Sequence, residues 1–189
     1  MQELNVQLFT LINATSDTAL WLVDWGRFFA WWPQLLLLVG LVILFLRKNA
    51  YGLEWLFQIC VAVILTIGFN HFVSWVLPVS IPAVSDVGQL WMKGASLGSW
   101  LGDYPVFLSA VAFACLVWNR AHFFTSWVFA LVLVNGWAVI LIGCYFPSQV
   151  LVGTFLSMVS VGAIVVFQWG LSNLKNSIFN QELKVITVS

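Results

Sequence analysis

Apolar residues do not alternate with polar ones along this chain; they come in long runs broken by short polar punctuation. A helix needs about 20 mainly apolar residues to cross the hydrocarbon core of a bilayer. Five runs meet or approach that length: about 28–46, closed by Arg47-Lys48; about 53–77, ended by Pro78; about 104–118, ended by Asn119-Arg120; about 123–145, ended by Pro147; and about 149–171, ended by Ser172-Asn173. Residues 4–25 read differently. Leu4, Leu8, Leu11 and Ile12 recur at helical spacing among Gln and Asn, and Asp17 and Asp24 interrupt a Trp/Leu-rich stretch. This pattern predicts one amphipathic interfacial helix or two, with a broken sixth span as the alternative.

The longest connection is 78–103. It opens extended at Pro78-Val79-Ser80-Ile81-Pro82, because the residue before a proline avoids the helical region. Ser85-Asp86 predicts the cap of a short amphipathic helix running to about Leu97. The expected architecture is all-α: one membrane domain over 1–189, five to six transmembrane helices, an amphipathic N-terminal helix and a tail at 172–189.

Composition sharpens this picture. The chain is 62% hydrophobic and 7% charged, with mean hydropathy +1.00. Fourteen charged residues cannot cover the surface of a soluble protein of 189 residues. Disorder, which needs low hydrophobicity, is excluded too. Zero net charge argues against nucleic acid as a partner. Membrane lipids are the expected surroundings, with a protein partner or a second copy in the membrane.

Orientation follows from the basic residues. Arg47, Lys48, Arg120, Lys175 and Lys184 fall on one side, which predicts a cytoplasmic C-terminus. The N-terminal segment and the 78–103 loop then face outward, or the periplasm of a bacterial inner membrane. Met1–Asn5 has no positive charge and does not read as a cleaved signal. Many of the twelve tryptophans, Trp21, Trp25, Trp31, Trp32, Trp91 and Trp100 among them, are placed to form an outer aromatic belt.

Candidate chemistry is sparse. Cys60, Cys115 and Cys144 have no metal-ligand or redox spacing and read as small buried hydrophobes. No cofactor and no metal site is expected. His71 is the one titratable side chain well inside a run, while His122 lies at a run's end. Asn70, Ser74, Asn135, Tyr145, Gln149 and Ser157 add uncharged polarity, and Asn135 and Ser157 are candidates for hydrogen bonds between helices.

One stretch carries more information. Gly143-Cys144-Tyr145-Phe146-Pro147-Ser148-Gln149-Val150-Leu151-Val152-Gly153 resembles the last signature, close to G-V-H-Y-P-S-D-V-L-A-G, of the type 2 phosphatidic acid phosphatase (PAP2) superfamily. The opening Leu8-Phe9-x-x-Ile12-Asn13 and the proline-containing 78–103 loop are similar to the bacterial undecaprenyl-diphosphatase branch. The resemblance covers about 4–171 and implies a PAP2-like bundle.

It also implies where a phosphate site would lie. The family's first motif, K-x6-R-P, aligned on Pro82, falls on Ser74 and Ile81. Its second, P-S-G-H, aligned on Pro105, falls on Pro105-Val106-Phe107-Leu108. Its third, S-R-x5-H-x3-D, falls on Ala138, Val139, Tyr145 and Gln149. Each charged position of the motifs is thus occupied by an uncharged residue, and the prolines remain. Phosphoryl transfer needs cationic donors and an oriented nucleophile, and removing one such electrostatic contact costs about 10²–10³ in rate. The expectation is a pseudophosphatase with a degenerate pocket at Ser74, Ile81, Pro82, Pro105, Leu108, Ala138, Val139, Tyr145 and Gln149. It would serve as a membrane subunit, partner-binding scaffold or lipid-binding protein. His71, Lys93 and Asp103 are the candidates for residual polar contacts. The alternatives are an outer-leaflet lipid phosphatase acting on an isoprenyl diphosphate or a phospholipid phosphate, and a small transporter or channel subunit.

Overall fold

A computed structural model describes residues 2–46, 50–76, 82, 87–91, 103–118 and 122–188. The helices are α1 (Gln2–Ile12), α2 (Leu20–Leu46), α3 (Ala50–Val76), α4 (Asp103–Trp118), α5 (His122–Leu141) and α6 (Pro147–Val188). No strand occurs among the described residues. Four helices contain stretches long and apolar enough to cross a bilayer: Leu20–Ile43, Leu56–Val76, Phe124–Leu141 and Pro147–Asn173. A shorter apolar stretch spans Pro105–Trp118. The protein is an α-helical membrane protein. Helices satisfy their backbone groups internally, as hydrocarbon requires.

The outside of the bundle is apolar. Leu65, Trp75, Leu133, Phe155, Val166 and Trp169 are all exposed, as expected of surfaces that face lipid rather than water. The inside is built around α4, which packs against α3, α5 and α6. Val106, Leu108, Val111 and Cys115 of α4 are completely buried, and Ser109, Ala110, Ala112 and Ala114 keep its girth small enough for close approach by its neighbours. Two hydroxyls tie α6 to it: Ser157 Oγ donates to the Val106 carbonyl at 3.2 Å, and Ser109 and Thr154 pair at 3.2 Å.

Several elements differ from the sequence expectation. The first membrane helix starts at Leu20 rather than 28. Asp24, one of the two acids that suggested an interfacial segment, forms an exposed 3.1 Å ion pair with Arg27 one turn on, near the start of α2. Only α1, at 11 residues, is a separate short helix. Secondly, α5 stops at Leu141, not 145. Gly143 adopts φ 79°, Cys144 N–H donates to the Val139 carbonyl, and Gly143 N–H donates to the Ile140 carbonyl. That pair of bonds around a left-handed glycine is the Schellman termination. Thirdly, the helix expected from Ser85-Asp86 is not formed where the loop is described. Val87–Trp91 is irregular: Gly88 has φ 77°, and the N–H groups of Gln89 and Trp91 bond to other segments. Beyond 171, α6 continues as helix to Val188, with no proline or glycine after Gly170 to interrupt it.

Pro33 lies inside α2 and is buried. A proline has no N–H for the carbonyl four residues back, here that of Phe29. Asn135 of α5 supplies the missing donor: its Nδ2 reaches the Phe29 carbonyl at 2.9 Å and the Ala30 carbonyl at 3.1 Å. Gln34 Nε2 also donates to Ala30 at 3.0 Å.

Candidate functional site

The resemblance directs attention to the end of the bundle where α1, the start of α2 and the α5–α6 turn meet. Ala14 N–H donates to the Leu141 carbonyl at 2.9 Å, and Trp91 N–H to the Ile142 carbonyl at 3.0 Å. The N-terminal segment and the described part of the long loop therefore share one end of the molecule.

At this end α6 begins with a complete cap. Phe146 precedes the helix, Pro147 holds its first position, and Gln149 the third. Proline suits that first position, where its N–H would have no partner anyway. Phe146 N–H donates to Gln149 Oε1 at 2.9 Å, and Gln149 N–H returns a bond to the Phe146 carbonyl. A polar side chain at the third position reaching back to the capping residue's N–H is half of a capping box. Ser148 N–H, the next unpaired donor, finds Asn5 Oδ1 of α1 at 3.1 Å. Gln149 is 3% exposed and its amide oxygen is engaged in this cap.

Ala138, Val139 and Tyr145 come together. With Ala30, Ile142 and Cys144 they form one buried apolar cluster, against which Phe29, Trp91 and Val150 pack. Leu108 instead belongs to the central core around α4. Pro105 and Pro82 are buried. Ser74 is half-buried, and its Oγ is enclosed without a hydrogen-bond partner among the described residues. Asn70, four residues earlier on the same face, is fully buried. His71, next to it, is exposed on the outside of α3 rather than turned inward. Asp103 is the first residue of α4. Ile81 and Lys93 lie outside the described residues.

The electrostatics follow from these placements. The buried polar side chains among the described residues are Asn13, Thr66, Asn70, Ser109, Thr125, Asn135, Gln149 and Ser157, and none is charged. An anion placed among them would lose its hydration without a cationic partner. Cys144, in the α5–α6 turn, is a free thiol that burial pushes up to about 11. No group of three or more His, Cys, Asp or Glu side chains suited to a metal ion occurs among the described residues.

A second feature lies away from this end. A groove of about 600 Å³ runs between α3 and α6, lined by Leu65, Gly68, Phe69, Val159, Ser160 and Ala163 among others. Its walls are almost wholly apolar and lie in the membrane-spanning stretches.

Two residues central to this end carried little weight in the sequence. Asn13 stood out only as the last residue of the Leu8-Phe9-x-x-Ile12-Asn13 resemblance, and Trp91 only as a belt tryptophan. Asn13 Nδ2 donates to the carbonyls of Gln89 (3.0 Å) and Leu141 (3.1 Å), and its Oδ1 accepts from Gln89 N–H (2.8 Å). Side-chain bonds of this kind to distant backbone have no short-range signature.

The chain is 29% identical over 173 residues to "Putative undecaprenyl-diphosphatase YbjG" of Escherichia coli (strain K12), a match covering 89% of this chain and 85% of that protein. No family model and no solved structure matches. The likeness, extending over most of the chain, supports a PAP2-like membrane protein.

Proposed function

We propose that this chain is a PAP2-like protein of the bacterial cytoplasmic membrane that does not hydrolyse phosphate esters. It acts there as a membrane subunit, partner-binding scaffold or lipid-binding protein, with the 78–103 loop outward and the C-terminus cytoplasmic. The observation that carries the reading is the use made of Gln149. The resemblance puts an Asp that orients a nucleophilic His at this position; here the side chain caps α6 and the residue at the His position is Tyr145. The positions of the phosphate-binding Arg and the general-acid His hold Val139 and Leu108, both buried among apolar neighbours. Each missing electrostatic contact is worth about 10²–10³ in rate, so their joint loss removes turnover. The α3–α6 groove gives the lipid-binding form of the proposal a place for a hydrocarbon chain.

A second reading is a lipid phosphatase, and the description of the Escherichia coli relative favours it. Phosphate release decides between the two. Purified protein in mixed micelles is given undecaprenyl diphosphate or phosphatidate. The proposal expects release no faster than in protein-free micelles. Release that saturates with substrate and is lost in Tyr145→Phe establishes the second reading.

A further inference from the structure

We propose that Val87–Trp91 is a plug over the buried apolar cluster of Ala30, Val139 and Tyr145, and that α1 holds it shut through Asn13. The proposal concerns the same end of the molecule as the proposed function but stands whether or not phosphate is hydrolysed there.

The plug is fixed at both ends by packing. Val87 packs on Phe9, Ile140 and Phe146. Trp91 packs on the Ala30–Val139–Tyr145 cluster and on Ala14, Val23 and Leu141. Between these anchors the segment has no secondary structure of its own. Its backbone is satisfied by other elements instead. The Asn13 amide mimics a strand partner for Gln89, accepting from its N–H and donating to its carbonyl. Trp91 N–H donates to Ile142, its indole N–H donates to the Ala14 carbonyl at 2.7 Å, and its own carbonyl accepts from Arg27 Nε and Nη2 at 2.9 and 2.7 Å.

Two glycines permit this closeness. A Cβ on Gly88 would overlap Asn13 Oδ1 and Phe9, and one on Gly143 would collide with the Gln89 carbonyl. Both have left-handed φ. Asn13 is thus the point at which α1, the loop and the α5–α6 turn are joined, and it is 7% exposed. α1 presents Leu4, Leu8 and Leu11 on its exposed surface, 61%, 42% and 81% accessible. Among the described helices it packs on α5 and α6. A short helix with an exposed apolar face, joined to the plug through the Asn13 amide, is a lever: moving α1 removes the hydrogen bonds that order Gln89. A segment without secondary structure of its own, ordered only by bonds to other elements, opens at lower free energy than the core.

The chain carries its own reporters. Cys144 lies in the plugged cluster and Cys115 in the α4 core, both buried; Cys60 is exposed. In full-length Cys60→Ala protein in micelles, N-ethylmaleimide labelling of the two remaining thiols is followed by mass spectrometry. Asn13→Ala is expected to speed labelling of Cys144 on the order of tenfold or more while Cys115 stays protected, the signature of local opening. Unchanged labelling of Cys144, or acceleration of both thiols together, overturns the proposal. Trp91→Phe loses the indole bond to Ala14 but keeps an aromatic ring, and carries the same test if Asn13→Ala is not recovered folded. A rise at Cys144 alone supports the plug; no rise, or a rise at both thiols, overturns it.

Discussion

The side-chain amide of Asn135 donates to the backbone carbonyl of Phe29 at 2.9 Å, across the interface between α5 and α2. The Phe29 carbonyl is the one that Pro33 cannot serve, so the bond repairs a defect in one helix with a residue from another. It also ties α5 to α2. A proline and an asparagine about a hundred residues apart therefore form one functional pair.

Asn135→Ala is expected to lower stability by roughly 1–3 kcal/mol, the cost of stranding a buried acceptor. Pro33→Ala in the same background restores an N–H for Phe29 and should recover part of that loss. A double-mutant cycle by thermal or denaturant unfolding in micelles measures the coupling. Simple additivity of the two substitutions would refute the pairing.

Gly143 is expected to resist substitution. Gly143→Ala forces a left-handed conformation, worth about 1–2 kcal/mol against a residue with a Cβ, and drives that Cβ into the Gln89 carbonyl. Gly68→Ala and Gly162→Ala, where a Cβ would meet nothing within 4 Å, should be tolerated. Comparing the melting temperatures of the three variants checks this. Equal melting temperatures would mean that the α5–α6 turn is not held as described.

Gln149→Leu removes the cap on Phe146 N–H and should cost about 1 kcal/mol. At low pH, where its carboxyl is protonated and carries no buried charge, Gln149→Glu keeps an acceptor at the same position and should lose less than Leu. The pattern matters more than the size. If Glu were as damaging as Leu, the capping role of Gln149 would be wrong.

Burial pushes the Cys144 thiol up from an ordinary value of 9.0 to about 11. At pH 8 its thiolate fraction is then about a hundredfold below that of an ordinary cysteine, and alkylation slows accordingly. The sign for stability follows from linkage. The folded state holds its proton to higher pH than the unfolded one, so the contribution is complete below pH 9 and is lost as pH rises toward 11. Unfolding titrations of the parent and Cys144→Ala should converge over that window.

Much of the bundle was legible because lipid imposes one rule on every span: about 20 apolar residues without charge. The runs that became α3 and α6 obeyed it. The start of α2 did not, because Asp24 and Arg27 disguise a continuous helix by pairing on its surface. The end of α5 was hidden in an unbroken apolar run through Ile142, where only the backbone preference of Gly143 marks the stop. At the candidate site, the identities of Val139, Tyr145 and Gln149 spoke to chemistry without geometry. The cluster that unites Val139 with Tyr145, and the cap that occupies Gln149, depend on a turn that periodicity does not report. Asn13 and Trp91 were the least legible, since their partners are backbone atoms of distant segments, which any residue could supply.

The enclosure of α4 has a consequence for how the protein is made. Its 16 residues reach only about 24 Å, short of the roughly 30 Å hydrocarbon thickness. The helix is nonetheless the hub on which α3, α5 and α6 pack. A segment emerging from the ribosome with that length is poorly retained by lipid alone. It gains a stable seat once α5 and α6 have been synthesised to enclose it. Integration of this chain is therefore a collective event completed late in translation, and truncations ending after α4 should leave that segment slipping between membrane and water.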